Sequence, residues 1–225
     1  VGAVLPIGVC VIPVLGFATL SKFDLAQRLL DSIDYPVQKL VIIDNSGKKA
    51  WIPEPNEFVQ ETWTIRLPHG LGANGAWNLI IKSTPFAPYW VLPNDDCWFE
   101  PGALKTIAEQ VDITKFNFVN VNPKWSCVIP TENSVNIAGL WDEAFHPVYF
   151  DDNDYEWRMD LLGVGFHHIP ATVHHNNSST LHSGYHAQNN ISYDNNHKLW
   201  RKKFSETNTN EIGWKLRIRR ENRWD

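Results

Sequence analysis

Three short apolar runs set the strongest limit on this fold: residues 8–13, the stretch Lys39-Leu-Val-Ile-Ile-Asp44, and residues 89–92. Each is continuous rather than alternating, so both of its faces must be covered. Between them lie segments with apolar residues at helical spacing, such as Leu25, Ala26, Leu29, Leu30 and Ile33. Strand and helix repeated in this way give an open, mostly parallel α/β sheet with helices on both faces. The pattern predicts strands over 8–13, 38–44, 62–67 and 89–92, and helices over 23–32, 73–83 and 103–110.

The second half reads differently. Strands are expected over 116–122, 125–129, 163–170 and 171–175. A helix over 151–162 opens with Asp151, Asp152 and Asp154, where negative charge suits the helix dipole. Residues 176–194 read as a polar loop and 197–204 as a helix. The tail carries Lys215, Arg217, Arg219, Arg220 and Arg223. One continuous unit is expected, with residues 1–115 and 116–225 as its two halves and the site in the groove between them.

Charge and cysteine usage narrow the function. A net charge of −5 gives no electrostatic footprint for duplex nucleic acid or a membrane surface. Cys10, Cys97 and Cys127 are too few and too scattered for a zinc site or a disulfide framework, so a reducing, cytoplasmic location is expected. A host cytoplasm would serve equally for a virus-encoded chain. Residues 1–17 are apolar, but Pro6, Pro13 and interspersed glycines break them and no basic flank precedes them. A buried strand suits them better than a membrane span or signal peptide.

Sheets of this kind bind ligands beyond the carboxyl ends of their strands. Asp44 and the cluster Asn94-Asp95-Asp96 both fall at such ends. Oxygen ligands placed there suit a hard divalent cation carrying phosphates.

Five segments, in order, resemble a glycosyltransferase of the GT-A fold, closest to the inverting glycosyltransferase family 2. Val11-Ile-Pro13 resembles the family's first strand, with Val14 where a polar residue is usual. Val41-Ile-Ile-Asp-Asn-Ser-Gly47 resembles its "VVDNGS" segment. Gly70-Leu-Gly-Ala-Asn-Gly-Ala-Trp-Asn78 resembles its "N-x-G … A-x-N" helix start, with Gly70 where Asn is common. Val91-Leu-Pro-Asn-Asp-Asp96 resembles its metal-binding DXD strand end. Gly139-Leu-Trp-Asp-Glu-Ala-Phe145 and Phe150-Asp-Asp-Asn-Asp-Tyr-Glu-Trp-Arg158 resemble "GgFDE-F … ED-x-D-x-x-x-R".

The resemblance implies transfer of a sugar from a nucleotide-diphosphate sugar, a UDP-sugar first, to a hydroxyl acceptor such as a glycan, with inversion and with Mn²⁺ or Mg²⁺. It implies donor contacts from Pro13, Val14, Asp44, Asn45, Gly72, Asn78, Asn94 and Asp95. Asp96 and His174 would hold the metal, with His175 as the alternative ligand. Asp152 would be the base, supported by Asp151, while Asp154 and Arg158 brace the helix. Asn94 brings no charge where the family has its first acid. Two other readings stay open: a catalytically impaired module that binds sugar nucleotides or glycans, which the departures at Asn94 and Val14 allow, and a glycosyltransferase modifying a DNA base, which the basic tail would permit.

Overall fold

The computed structural model describes residues 10–47, 51–121, 125–176 and 186–206. Its elements in chain order are β1 (Ile12–Thr19), α1 (Phe23–Asp31), β2 (Val37–Asp44), β3 (Val59–Arg66) and α2 (Gly72–Ser83). There follow β4 (Leu92–Pro93), β5 (Cys97–Phe99), α3 (Ala103–Gln110), β6 (Phe118–Asn120) and β7 (Cys127–Pro130). The last are α4 (Glu132–Ala138), α5 (Asp151–Leu161), β8 (Phe166–His167), β9 (Val173–His175) and α6 (His186–Glu206).

β1, β2 and β3 pair in parallel, with Thr19 opposite Asp44 and Asp44 opposite Arg66 at their carboxyl ends. On its other side β1 meets Val91 in parallel, through Gly16 N–H to Val91 O and Val91 N–H to Val14 O, each 2.9 Å. From there the order continues β4-β7-β6-β8, with β7 antiparallel to both of its neighbours. A separate antiparallel ribbon pairs β5 with β9. The architecture is thus the mixed α/β sheet with a parallel portion that the apolar runs predict.

Helix periodicity places the core. In α1 the buried residues are Ala26, Leu29 and Leu30, one stripe at helical spacing. They pack with Ile12, Leu15, Phe17, Val37, Leu40 and Ile42 on one face of the sheet. On the other face Val14, Val41 and Ile43 meet Ala76, Ile80 and Ile81 of α2. Each fully buried aliphatic side chain of this kind contributes about 1.5–3 kcal/mol. Gly16 makes the second contact close, since a Cβ there would lie 2.6 Å from Ile80 Cγ2.

Several boundaries differ from the sequence reading. The first strand runs from Ile12 to Thr19 rather than over 8–13, part of which lies outside the described residues. Pro13 and Gly16 look like breakers, but Ile12 N–H already donates to Pro36 O and the pairing with β2 resumes at Val14 and runs on to Thr19, so the strand continues past both. The fourth strand is offset, with β4 at Leu92–Pro93 and Tyr89 and Val91 making single bridges. α4 was not anticipated; Thr131 caps it by accepting from Ser134 N–H. The expected loop over 176–194 is helical from His186, because tertiary contacts of Tyr193, Asn196 and Trp200 outweigh the weak helix preference of its asparagines. The basic tail lies outside the described residues. Among those described, no helix is long and apolar enough to cross a membrane.

Candidate active site

The carboxyl ends of β1 and β2 form one corner. Asn45 N–H donates to Thr19 O at 2.8 Å, locking the two strand ends together. Asp44 is buried; its Oδ1 accepts from Ser46 N–H at 3.0 Å, and Arg66 Nε lies 3.8 Å from its Oδ2. That second oxygen accepts no hydrogen bond among the described residues. Buried carboxylate oxygens are seldom left so.

Asp95 and Asp96 follow β4. Burial pushes the Asp95 carboxyl up to about 7, the Thr19 hydroxyl holds it down in part, and the charge of Asp96 raises it further. The Asp95 carboxyl thus feels both Thr19, at the end of β1, and Asp96, although Thr19 Oγ1 makes no hydrogen bond among the described residues. Asp96 is buried, and its Oδ1 lies 2.9 Å from His175 Nε2. Asn94 holds the turn with its backbone, donating to Ser126 O at 2.7 Å and accepting from Cys97 N–H at 3.1 Å.

Register decides which histidine reaches Asp96. β5 and β9 pair Cys97 with His175 and Trp98 with His174. Successive side chains on a strand point to opposite faces, so the two histidines diverge. His175 turns inward beside Asp96. His174 instead stacks on Trp98 with centroids 4.9 Å apart and pairs with Glu100. Arg28 covers the other face of Trp98 at 3.4 Å. Of the two histidines the sequence offers for a metal, His175 is the one beside Asp96, and His174 faces away from it. Val173, buried and sharing a face with His175, is the sequence signal that separates them.

These residues fit a divalent cation. Asp96, Cys97 and His175 each offer a ligand atom, all within 4.8 Å of one another. Two ligands about 2.1 Å from one octahedral ion stand about 3.0 Å apart, close to the Asp96–His175 separation. His175 Nδ1 is buried without a hydrogen-bond partner among the described residues. Cys97 is held as a thiol, its pKa pushed up to about 12 by burial and by Asp96, and it donates to Ser126 O at 3.2 Å. Carboxylate plus imidazole suits Mn²⁺ better than Mg²⁺, which prefers oxygen throughout.

Three of the positions expected to contact the donor make structural contacts. Asn45 accepts from Leu71 N–H at 3.1 Å and donates to Gly72 O at 3.2 Å, fastening β2 to the start of α2. Gly72 has φ +76°, and a Cβ there would lie 2.4 Å from Pro147 O, so only glycine allows this approach. Asn78 is fully buried, donating to Trp141 O and Glu143 Oε1 and accepting from Trp141 N–H, all at 2.8–2.9 Å. Both amide hydrogens of Asn78 are thus used, and its oxygen accepts one bond from the Trp141 backbone. Pro13 and Val14 lie in the first half of β1, with Val14 in the core, far from the strand end occupied by Thr19. Trp77 packs edge-on against Trp141, and His167 stacks on Phe116, so both are packing residues.

The same contacts carry the rim to α5. Ala73 N–H donates to Pro147 O at 3.0 Å, and His146 Nδ1 lies 3.2 Å from Leu71 O. The chain then passes through Tyr149 and Phe150, at φ 80° and 65°, into Asp151. Asp151 is buried; burial, then the neighbouring Asp152 charge, pushes its pKa up to about 7. Asp152 is only half-buried and accepts from Asn153 N–H at 2.9 Å. One turn on, Asp154 and Arg158 are both fully buried and paired at 2.8 Å. Arg158 also donates to Ala138 O and Leu140 O, and Lys203 of α6 reaches Asp154 at 2.5 Å and Asp142 at 2.8 Å.

No protein-family model and no curated protein sequence matches the chain. Its likeness is to solved structures. GalNAc-T7, solved with UDP, GalNAc and Mn²⁺, aligns with a TM-score of 0.57 at 8% identity, over 74% of this chain and 44% of that one. TarS of S. aureus aligns at 0.51 and 12% identity, over 68% and 34% of the two chains. TarS 1-349 in complex with UDP gives 0.50 at 11% identity, over 68% and 56%. This chain thus spans from about a third to just over half the length of those it matches. Likeness at such identities defines the fold, which is that of the GT-A glycosyltransferases.

Proposed function

We infer that the protein is a metal-dependent glycosyltransferase that moves a sugar from a UDP-sugar to a hydroxyl acceptor with inversion at the anomeric carbon. The observation that carries this reading is the convergence of Asp44, Asp95, Asp96 and His175 on one sheet edge, joined through Asn45, Gly72 and Pro147 to Asp151 and Asp152. Structural neighbours were solved with UDP and, in one case, Mn²⁺. For this chain they add support to the same reading.

Asp44 would accept the uracil N3–H, and Asp95 would lie toward the ribose. Asp96 and His175 would hold the cation, which when bound would neutralise the diphosphate leaving group. Asp152, half-exposed at the mouth of α5, takes the proton from the acceptor hydroxyl as its oxygen bonds to the anomeric carbon and the sugar–phosphate bond breaks. UDP departs, and the proton rests on Asp152 until solvent removes it. Asp151, buried beside it, keeps the site from carrying two full carboxylate charges at neutral pH. The test is release of UDP from UDP-sugars with a panel of hydroxyl acceptors: acceptor-dependent release by the wild type supports the reading, and its absence with every donor contradicts it.

A further inference from the structure

We propose that Asn196 of α6 is a positioning residue for Asp152, acting through the left-handed turn at Tyr149 and Phe150. The proposal rests on the reading of Asp152 as the base. Asn196 is almost wholly buried, and its side-chain amide donates toward three consecutive-turn carbonyls: Val148 O at 2.8 Å, Tyr149 O at 3.2 Å and His146 O at 3.3 Å. An amide nitrogen has two hydrogens, so one bond is shared, and its donor capacity is fully used by this turn.

The turn needs such a clamp. Tyr149 and Phe150 both have positive φ, a region that residues with a Cβ adopt only when their surroundings hold them there. Phe150 is also the residue preceding the first turn of α5, so its conformation sets where that helix starts and where Asp151 and Asp152 point. Around the amide, α6 presents a stripe at helical spacing that seals the same turn. Tyr193, His197 and Trp200 lie against the Phe150 ring at 5.1, 5.1 and 6.0 Å between centroids. Further along, Lys203 ties the helix to Asp154 and Asp142, so α6 is fastened to α5 at two levels. A displacement of about 1 Å in a reacting group costs up to about a hundredfold in rate, so a clamp on this turn is worth more to turnover than to donor binding.

Amide hydrogen exchange and transfer kinetics on Asn196→Ala and on Asn196→Ala combined with Tyr149→Gly test the proposal. Glycine takes positive φ without penalty, so it relieves the turn of its need for the clamp. Asn196→Ala is expected to raise exchange over residues 146–154 at least tenfold and lower kcat at least tenfold, with donor KM within about twofold. Adding Tyr149→Gly should return both toward wild type by threefold or more. A double variant worse than the single one in both readouts would mean that Asn196 merely packs, and overturns the proposal. So would an Asn196→Ala protein with wild-type exchange and kcat. Should alanine leave too little folded protein, Asn196→Gln, which keeps the amide but shifts it by one methylene, takes its place in the same comparison. If the wild type transfers no sugar, the reading of function fails while the exchange arm still decides whether Asn196 holds the turn.

Discussion

His175 Nε2 lies 2.9 Å from Asp96 Oδ1, brought there by the pairing of β9 with β5, which turns the adjacent His174 to the opposite face. The two histidines should therefore behave differently. His175→Ala is expected to weaken Mn²⁺-dependent UDP binding by at least about tenfold, the scale on which even indirect supports of a metal site act. His174→Ala should change it by less than about threefold, since it removes a half-exposed contact with Trp98 and Glu100. Calorimetric titration of UDP with and without Mn²⁺ distinguishes them, and the opposite ranking would refute the register argument.

Asp152→Asn keeps the shape of the side chain and removes its basicity. Transfer should fall by about 10²–10⁴-fold, the usual contribution of a positioned base, while UDP binding changes little. Near-normal kcat in steady-state assays would remove Asp152 from the mechanism.

Asn78 should affect the fold and not the ligand. Replacing it with alanine strands the buried N–H and C=O of Trp141, at a cost of about 2–4 kcal/mol in stability. Denaturant unfolding measures the loss, and UDP affinity of the folded fraction should stay unchanged. A large loss of UDP affinity without loss of stability would restore Asn78 to the donor site.

Asp151 links stability to pH. Its folded pKa, about 7, stands above the ordinary 3.8, so the folded state holds the proton more tightly than the unfolded one. Stability from this group is complete below about pH 4 and is lost as pH rises toward and through about 7. Asp151→Asn should flatten that part of the curve, leaving whatever other carboxylates contribute. Denaturant midpoints of both proteins between pH 4 and 8 give the comparison; identical slopes would contradict the burial argument.

Much of this was legible in the chain. Continuous apolar runs gave the parallel strands, and the acidic residues after β2 and β4 marked the edge where a site could form. The positions whose surroundings differ from expectation share one cause. Pro13, Val14 and Asn78 resemble site residues because of their neighbours in sequence, yet the ladder runs on to Thr19 and the Asn78 amide is engaged by Trp141 and Glu143. His174 and His175 could be separated only by face, which needed Val173 to be read as the inward residue. The helix expected over 197–204 is there, but its extension back to His186 was hidden because the asparagines there favour turns locally; Tyr193 against Phe150 and Asn196 on the 146–149 carbonyls hold that part in place.

The central claim is that one sheet edge binds a nucleotide diphosphate through a cation held by Asp96. Thermal denaturation of the wild type and Asp96→Ala across a panel of nucleotide sugars, with and without Mn²⁺, tests it most directly, because a ligand bound only by the native state raises the midpoint. The account predicts stabilisation of the wild type by UDP-sugars that requires Mn²⁺, is weaker with other bases, and is lost in Asp96→Ala. Equal stabilisation of both proteins, or none with Mn²⁺ and any UDP-sugar, would contradict it.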